Sequence, residues 1–188
     1  MSDFWFYFKI GLDHVLDYTA YDHVLFLIVL SVPYVFKDWR RVLLMVTLFT
    51  LGHTTSLLLA VYGVVRINRG LVEWLIPVTI FIAALYNVFT AGRGANKDKL
   101  GVLLITALFF GLIHGLGFSG FFEQLTAHTS NKLLPLAEFA LGIEAAQIII
   151  TLIVLIIGFI CQTIFRFSRR DWMMFISAVV IGMVIPML

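Results

Sequence analysis

Charge is what this chain has least of. Only 13% of its 188 residues are Asp, Glu, Lys or Arg, against about 25% in an ordinary soluble domain. With 61% hydrophobic residues and a mean hydropathy of +1.02, that deficit excludes a soluble fold and a soluble domain on an anchor. The formal net charge of +2 is too small to suggest nucleic acid as a partner. Cys161 is the one cysteine, so an intrachain disulfide is excluded and the redox compartment cannot be read. The opening MSDFWFYFKIGLDH lacks the basic stretch, apolar core and small-residue cleavage site of a removable leader. No nucleotide-binding loop, internal repeat, long linker or low-complexity segment stands out.

What the chain does have is long apolar runs. A crossing helix needs about 20 mostly apolar residues. The sequence predicts six spans, at about 20–36, 41–64, 72–90, 100–120, 134–161 and 172–188. The expected fold is all-α: one transmembrane domain over 1–188, a six-helix bundle in a lipid bilayer. Phe4, Trp5, Phe6, Tyr7 and Phe8 precede it as an interfacial aromatic segment.

The connections carry the charge. Lys37, Arg40 and Arg41 follow the first span, Arg93, Lys97 and Lys99 the third, and Arg166, Arg169 and Arg170 the fifth. The second connection has Arg66 and Arg69, the fourth only Lys132, and the amino-terminal segment only Lys9. By the positive-inside rule the odd connections are cytoplasmic and both termini lie outside.

Against this background the polar residues inside the spans are informative. His14 and His23 lie in GLDHVLDYTAYDHVLF, His53 in LFTLGHTTSLLLA and His114 in LFFGLIHGLGFSG, while Glu144 and Gln147 lie in FALGIEAAQIII. An ionisable group at mid-bilayer costs roughly 2.5–3.5 kcal/mol on insertion scales, so several left unpaired would cost on the order of 10 kcal/mol. They must satisfy one another, hold water or hold a metal ion. At about 1.5 Å per residue, His53 and His114 both lie about 18–21 Å from the cytoplasmic ends of their spans, and Glu144 about 15 Å from the outer end of its own. Asp22 and His23 open the first span. Three separate spans thus bring nitrogen and oxygen donors to one depth.

Each group has a plainer reading. Asp22 and His23, about 100° apart on a helix, either both bind an ion, or Asp22 accepts the second imidazole N–H of His23 or caps the helix. His14 could belong to a solvated outer segment. His53, beside Gly52, Thr54, Thr55 and Ser56, could be a buried histidine bonded across helices. Gly111 and Gly115 around His114 form a GxxxG packing pair. Glu144 and Gln147, at i and i+3, share a helix face and could merely pair with a histidine. Asn87 and Glu73 read as a cap or interhelical bond, and His128 as solvated. Glu138 lies nearer the outer end, off the Glu144 face.

Imidazoles with a carboxylate suit nickel, cobalt, zinc or copper(II). They do not suit alkali or alkaline-earth ions, which want oxygen shells. With no thiolate near, copper(I) is disfavoured. Two functions compete. One is a permease for a divalent transition metal, with ligands from several helices near mid-membrane. The other is a membrane-embedded zinc hydrolase near the outer face, with three imidazoles, a carboxylate and an open water position. Transport is preferred over catalysis.

GLDHVLDYTAYDHVLFL, FTLGHTTSL, LVEWLIPVTIFIAALYN, FFGLIHGLGFSG and FALGIEAAQ together resemble the HupE/UreJ family of small bacterial membrane proteins. That resemblance covers spans one to five. It implies nickel or cobalt transport across the bacterial inner membrane, with His14, Asp22, His23, His53, His114 and Glu144 at the family's polar positions and Gln147 following. The expected cofactor or cargo is one divalent transition metal ion, Ni, Co or Zn. The expected partners are the bilayer and that ion, with room for a homo-oligomer or a metallochaperone.

Overall fold

A computed structural model describes residues 3–17, 21–65, 68–92, 100–129 and 131–188. Among these residues the regular structure is helical: α1 (Asp3–Leu16), α2 (Asp22–Ser31), a 3-10 turn (Phe36–Asp38), α3 (Trp39–Val61), α4 (Arg69–Thr90), α5 (Leu100–Leu125), α6 (Leu133–Thr163), α7 (Arg169–Val184) and a closing 3-10 turn (Ile185–Met187). Five helical stretches are long and apolar enough to cross a bilayer: Phe36–Val61, Arg69–Thr90, Leu104–Leu125, Leu133–Thr163 and Arg169–Met187. They correspond to the last five expected spans.

The six-span expectation is corrected at its first member. Residues 20–36 do not form one crossing helix; their helical part is α2, with 10 residues. At about 1.5 Å per residue that is about 15 Å, half a hydrocarbon core. The aromatic segment is likewise part of a 14-residue helix, α1. Its Phe4, Trp5 and Phe6 face outward, but its Gly11 lies against the backbone of Phe139 and Ile143 in α6, and Gly142 of α6 lies against Phe8 and Leu12. Mutual glycine contacts of this kind let two helical backbones approach closely.

Proline explains how α2 stops. Pro33 has no N–H, so the carbonyl of Val29, four residues earlier, loses its helical partner. The buried Asn87 side chain of α4 donates to that carbonyl at 2.7 Å. The Pro33 carbonyl in turn accepts from the Arg169 guanidinium at the start of α7. Asn87 thus makes an interhelical bond, one of the two roles expected of it, and the Val29 carbonyl is not left orphaned.

Two further contacts set the ends of the bundle. Arg170 packs on Gly92 after α4, and Arg69 packs on Gly120 near the end of α5. With the Arg169–Pro33 bond, the first, third and fifth connections share one end of the bundle, and the second and fourth share the other.

A second glycine seam joins α3 and α5. A Cβ on Gly52 would come within 2.3 Å of the Leu108 carbonyl, one on Gly111 within 2.2 Å of the Phe49 carbonyl, and one on Gly115 within 2.2 Å of the His53 carbonyl. The order of these contacts makes the two helices run the same way.

Gly111→Val or Gly115→Val should therefore destabilise the protein by about 1–3 kcal/mol or more, because backbone must move to admit the side chain. Gly101→Ala, where a Cβ meets nothing within 4 Å, should be neutral or slightly stabilising. Thermal unfolding in detergent, followed by circular dichroism, checks both. Asn87→Leu should cost about 1–3 kcal/mol in the same assay, since the Val29 carbonyl is left unpaired.

Candidate metal centre

Four helices each bring one imidazole to the same place. His14 comes from the last turn of α1, His23 from the first turn of α2, His53 from α3 and His114 from α5. The His14 and His23 ring centroids are 4.5 Å apart, His23 and His114 5.3 Å, His14 and His53 5.8 Å, and His23 and His53 6.2 Å. Local folding explains each position. The α3–α5 glycine seam places Gly111 and Gly115 directly on the His53 backbone, so His114 is carried in beside His53. The pairing of Phe26 with Phe49 at 4.9 Å lays α2 back along α3, so that its amino terminus, with Asp22 and His23, lies level with His53. On α1, Gly11 holds the helix against α6.

The cluster is largely buried and walled by aromatic rings. His53 and His114 are almost entirely buried, and His23 is 5% exposed. Phe26 and Phe49 stand 5.3 and 5.2 Å from the His114 ring, Phe118 stands 3.8 Å from His14, and Phe139 touches the far side of His14 and His53 at 5.9 and 6.5 Å.

Hydrogen bonds fix which ring nitrogen is left over. Nδ1 of His114 lies 2.9 Å from the Phe110 carbonyl. A carbonyl only accepts, so Nδ1 carries the proton and Nε2 keeps its lone pair. Nδ1 of His23 lies 3.0 Å from Asp22 Oδ1, and the same oxygen accepts the His23 backbone N–H at 2.9 Å. His23 is therefore also held with Nε2 free. The Nε2 atoms of His14, His23 and His114, and both ring nitrogens of His53, are buried with no hydrogen-bond partner. An unsatisfied buried polar atom costs about 1–3 kcal/mol. Five such atoms lie together among the four rings.

The spacing fits a cation-binding site. Two imidazoles on one tetrahedral ion at about 2.0–2.1 Å per Zn–N bond would have ring centroids about 5 Å apart. Four of the ring pairs, at 4.5 to 6.2 Å, bracket that separation. As they stand, no three His, Cys, Asp or Glu side chains among the described residues form a metal-holding group.

Glu144 and Gln147 of α6 have other partners. Glu144 Oε1 accepts from the Thr47 hydroxyl at 2.6 Å, and Gln147 Oε1 from the Thr50 hydroxyl at 3.0 Å. Both threonines belong to α3, one and two turns before His53. Three features escaped the sequence reading. The aromatic wall was invisible because phenylalanines fill every span. Thr47 and Thr50 carry no charge, and only their spacing from His53 by threes could have marked them. Glu138, judged to lie off the polar face, is 7% exposed with its Oε2 unpartnered. Glu73 and His128 are exposed and stand apart from the cluster.

The model of a family described as HupE / UreJ protein matches residues 1–187. No curated protein and no solved structure matches the chain.

Imidazole ¹⁵N spectra of the metal-free protein should show His23 and His114 as Nδ1–H tautomers. In Asp22→Ala the His23 preference should disappear while that of His114 stays. An Nε2–H signal from His114 would contradict the hydrogen bond to Phe110.

Proposed function

The chain belongs to the HupE/UreJ family, and from that premise we propose that it is a permease for a divalent transition metal, nickel or cobalt foremost, in the bacterial cytoplasmic membrane. The ion is cargo, taken up by His14, His23, His53 and His114, with Asp22 positioning His23. The observation that carries this reading is the set of unpartnered nitrogens from four helices in one buried pocket.

The donor set selects the cargo class. Neutral imidazoles favour late first-row divalent ions over Mg or Ca. The Asp22–His23 bond is the carboxylate–histidine arrangement that orients a metal ligand and raises its basicity. A pocket whose ligands come from separate helices, one of them a half-length helix starting at that depth, suits transport, because small movements of α1 or α2 open or close the shell. The aromatic wall keeps water from the ligands and offers ring faces to a desolvated cation.

Purified protein in liposomes should take up Ni or Co, read by a metal-quenched dye inside. His53→Ala combined with His114→Ala should abolish uptake, and Asp22→Ala should weaken binding by roughly 10–100-fold. Uptake should fall on acidification, because protons compete with the ion for the imidazole lone pairs. Neither binding nor flux in the wild type would sink the reading. Zinc retained through prolonged chelation would instead support a resident metal and the hydrolase alternative.

A further inference from the structure

We infer a second cation station between α3 and α6, through which the ion leaves the histidines. It rests on the transport reading. His53, Thr50 and Thr47 recur every three residues along α3 and so share a face, as do Gln147 and Glu144 on α6. The two faces meet in matched pairs: Thr50 with Gln147 at 3.0 Å and Thr47 with Glu144 at 2.6 Å. The ladder starts at His53 and runs six residues, about 9 Å, towards the amino-terminal end of α3. Because α6 enters the bundle from the opposite end to α3, the same step on α6, from Gln147 to Glu144, runs the other way, so the pairs set a station beside the histidines without ordering it by depth.

Three observations make this ladder a binding place and not only a helix clamp. First, Gln147 is fully buried, yet its Nε2 has no partner. Second, the Thr50 hydroxyl faces two acceptors, Gln147 Oε1 and the Val46 carbonyl at 3.2 Å, with one hydrogen to give. Turning the Gln147 amide end for end lets Nε2 donate to Thr50 Oγ1 and the Thr50 hydroxyl donate to Val46, which frees Oε1 as an acceptor. Either way, one end of a buried amide is left for a ligand or a water. Third, exposure rises along the ladder. His53, Thr50 and Gln147 are buried, whereas Thr47 and Glu144 are half-buried.

The chemistry suits a hand-off. The first station offers nitrogen, the second only oxygen: one carboxylate, one amide and two hydroxyls. A nickel or cobalt ion is held less firmly by oxygen than by imidazole, and a permeating ion needs a last stop it can leave. Glu144 is on this account the next stop for the ion, not part of the shell that the histidines form.

Cobalt(II) is the probe, since its visible spectrum separates nitrogen-rich from oxygen-only shells. Wild type, Glu144→Gln, Gln147→Leu and Thr47→Val are titrated in detergent and then assayed in liposomes. In the variants, the first cobalt equivalent should keep its spectrum and affinity, which also shows that the bundle is intact. Any weaker second equivalent should be lost in Glu144→Gln, and uptake should slow by roughly 10–100-fold, with Glu144→Asp restoring part of it. An altered first-equivalent spectrum in Glu144→Gln makes Glu144 a ligand of the histidine site and overturns the inference, as does unchanged uptake. Wild type that neither binds nor moves cobalt overturns the transport reading itself, and the station falls with it.

Discussion

The arrangement depends on how closely α5 approaches α3. Gly52, Gly111 and Gly115 bring backbone onto backbone at the level of His53. Without that approach the α5 backbone that carries His114 would stand a side-chain diameter further from His53. Between helices in lipid, such packing supplies the association that hydrophobic burial supplies in water. The seam also explains why the α3 face turned to α6 is free to carry Thr50 and Thr47: the glycine face is committed to α5.

The second constraint is the half-length helix. α2 reaches from the histidines to one end of the bundle, and its far end is secured by Asn87 and Arg169 from two other helices. Irregular backbone at membrane depth is tolerated only where protein or a polar cavity covers it. Here α1 ends at Leu16 and α2 begins at Asp22, each within a few residues of a clustered imidazole.

The hydropathy of the chain announced α3 to α7 within a few residues, because each is a long apolar run between charged connections. It did not announce that α2 stops at Ser31. Residues 20–36 are apolar enough to read as one span, and hydropathy does not register which carbonyls a proline orphans. The tail of α2 could have been suspected from Pro33 together with a buried Asn87. The histidines were legible because ionisable groups in apolar surroundings are rare. Their convergence in depth followed from counting residues, and their convergence in rotation came only from the fold. The partners of Glu144 and Gln147 were not legible, since threonine hydroxyls leave no mark on a charge or hydropathy profile.

The short α2 helix has an electrical consequence. Its peptide units add up to about half a positive charge at the amino terminus, and that terminus faces the imidazoles. A helix so placed repels cations. Asp22, at the first position of α2 with its oxygen on the His23 N–H, brings a full negative charge to the same point and reverses the sign. A cation brought beside these imidazoles would therefore depend on one carboxylate outweighing the field of the helix that carries it.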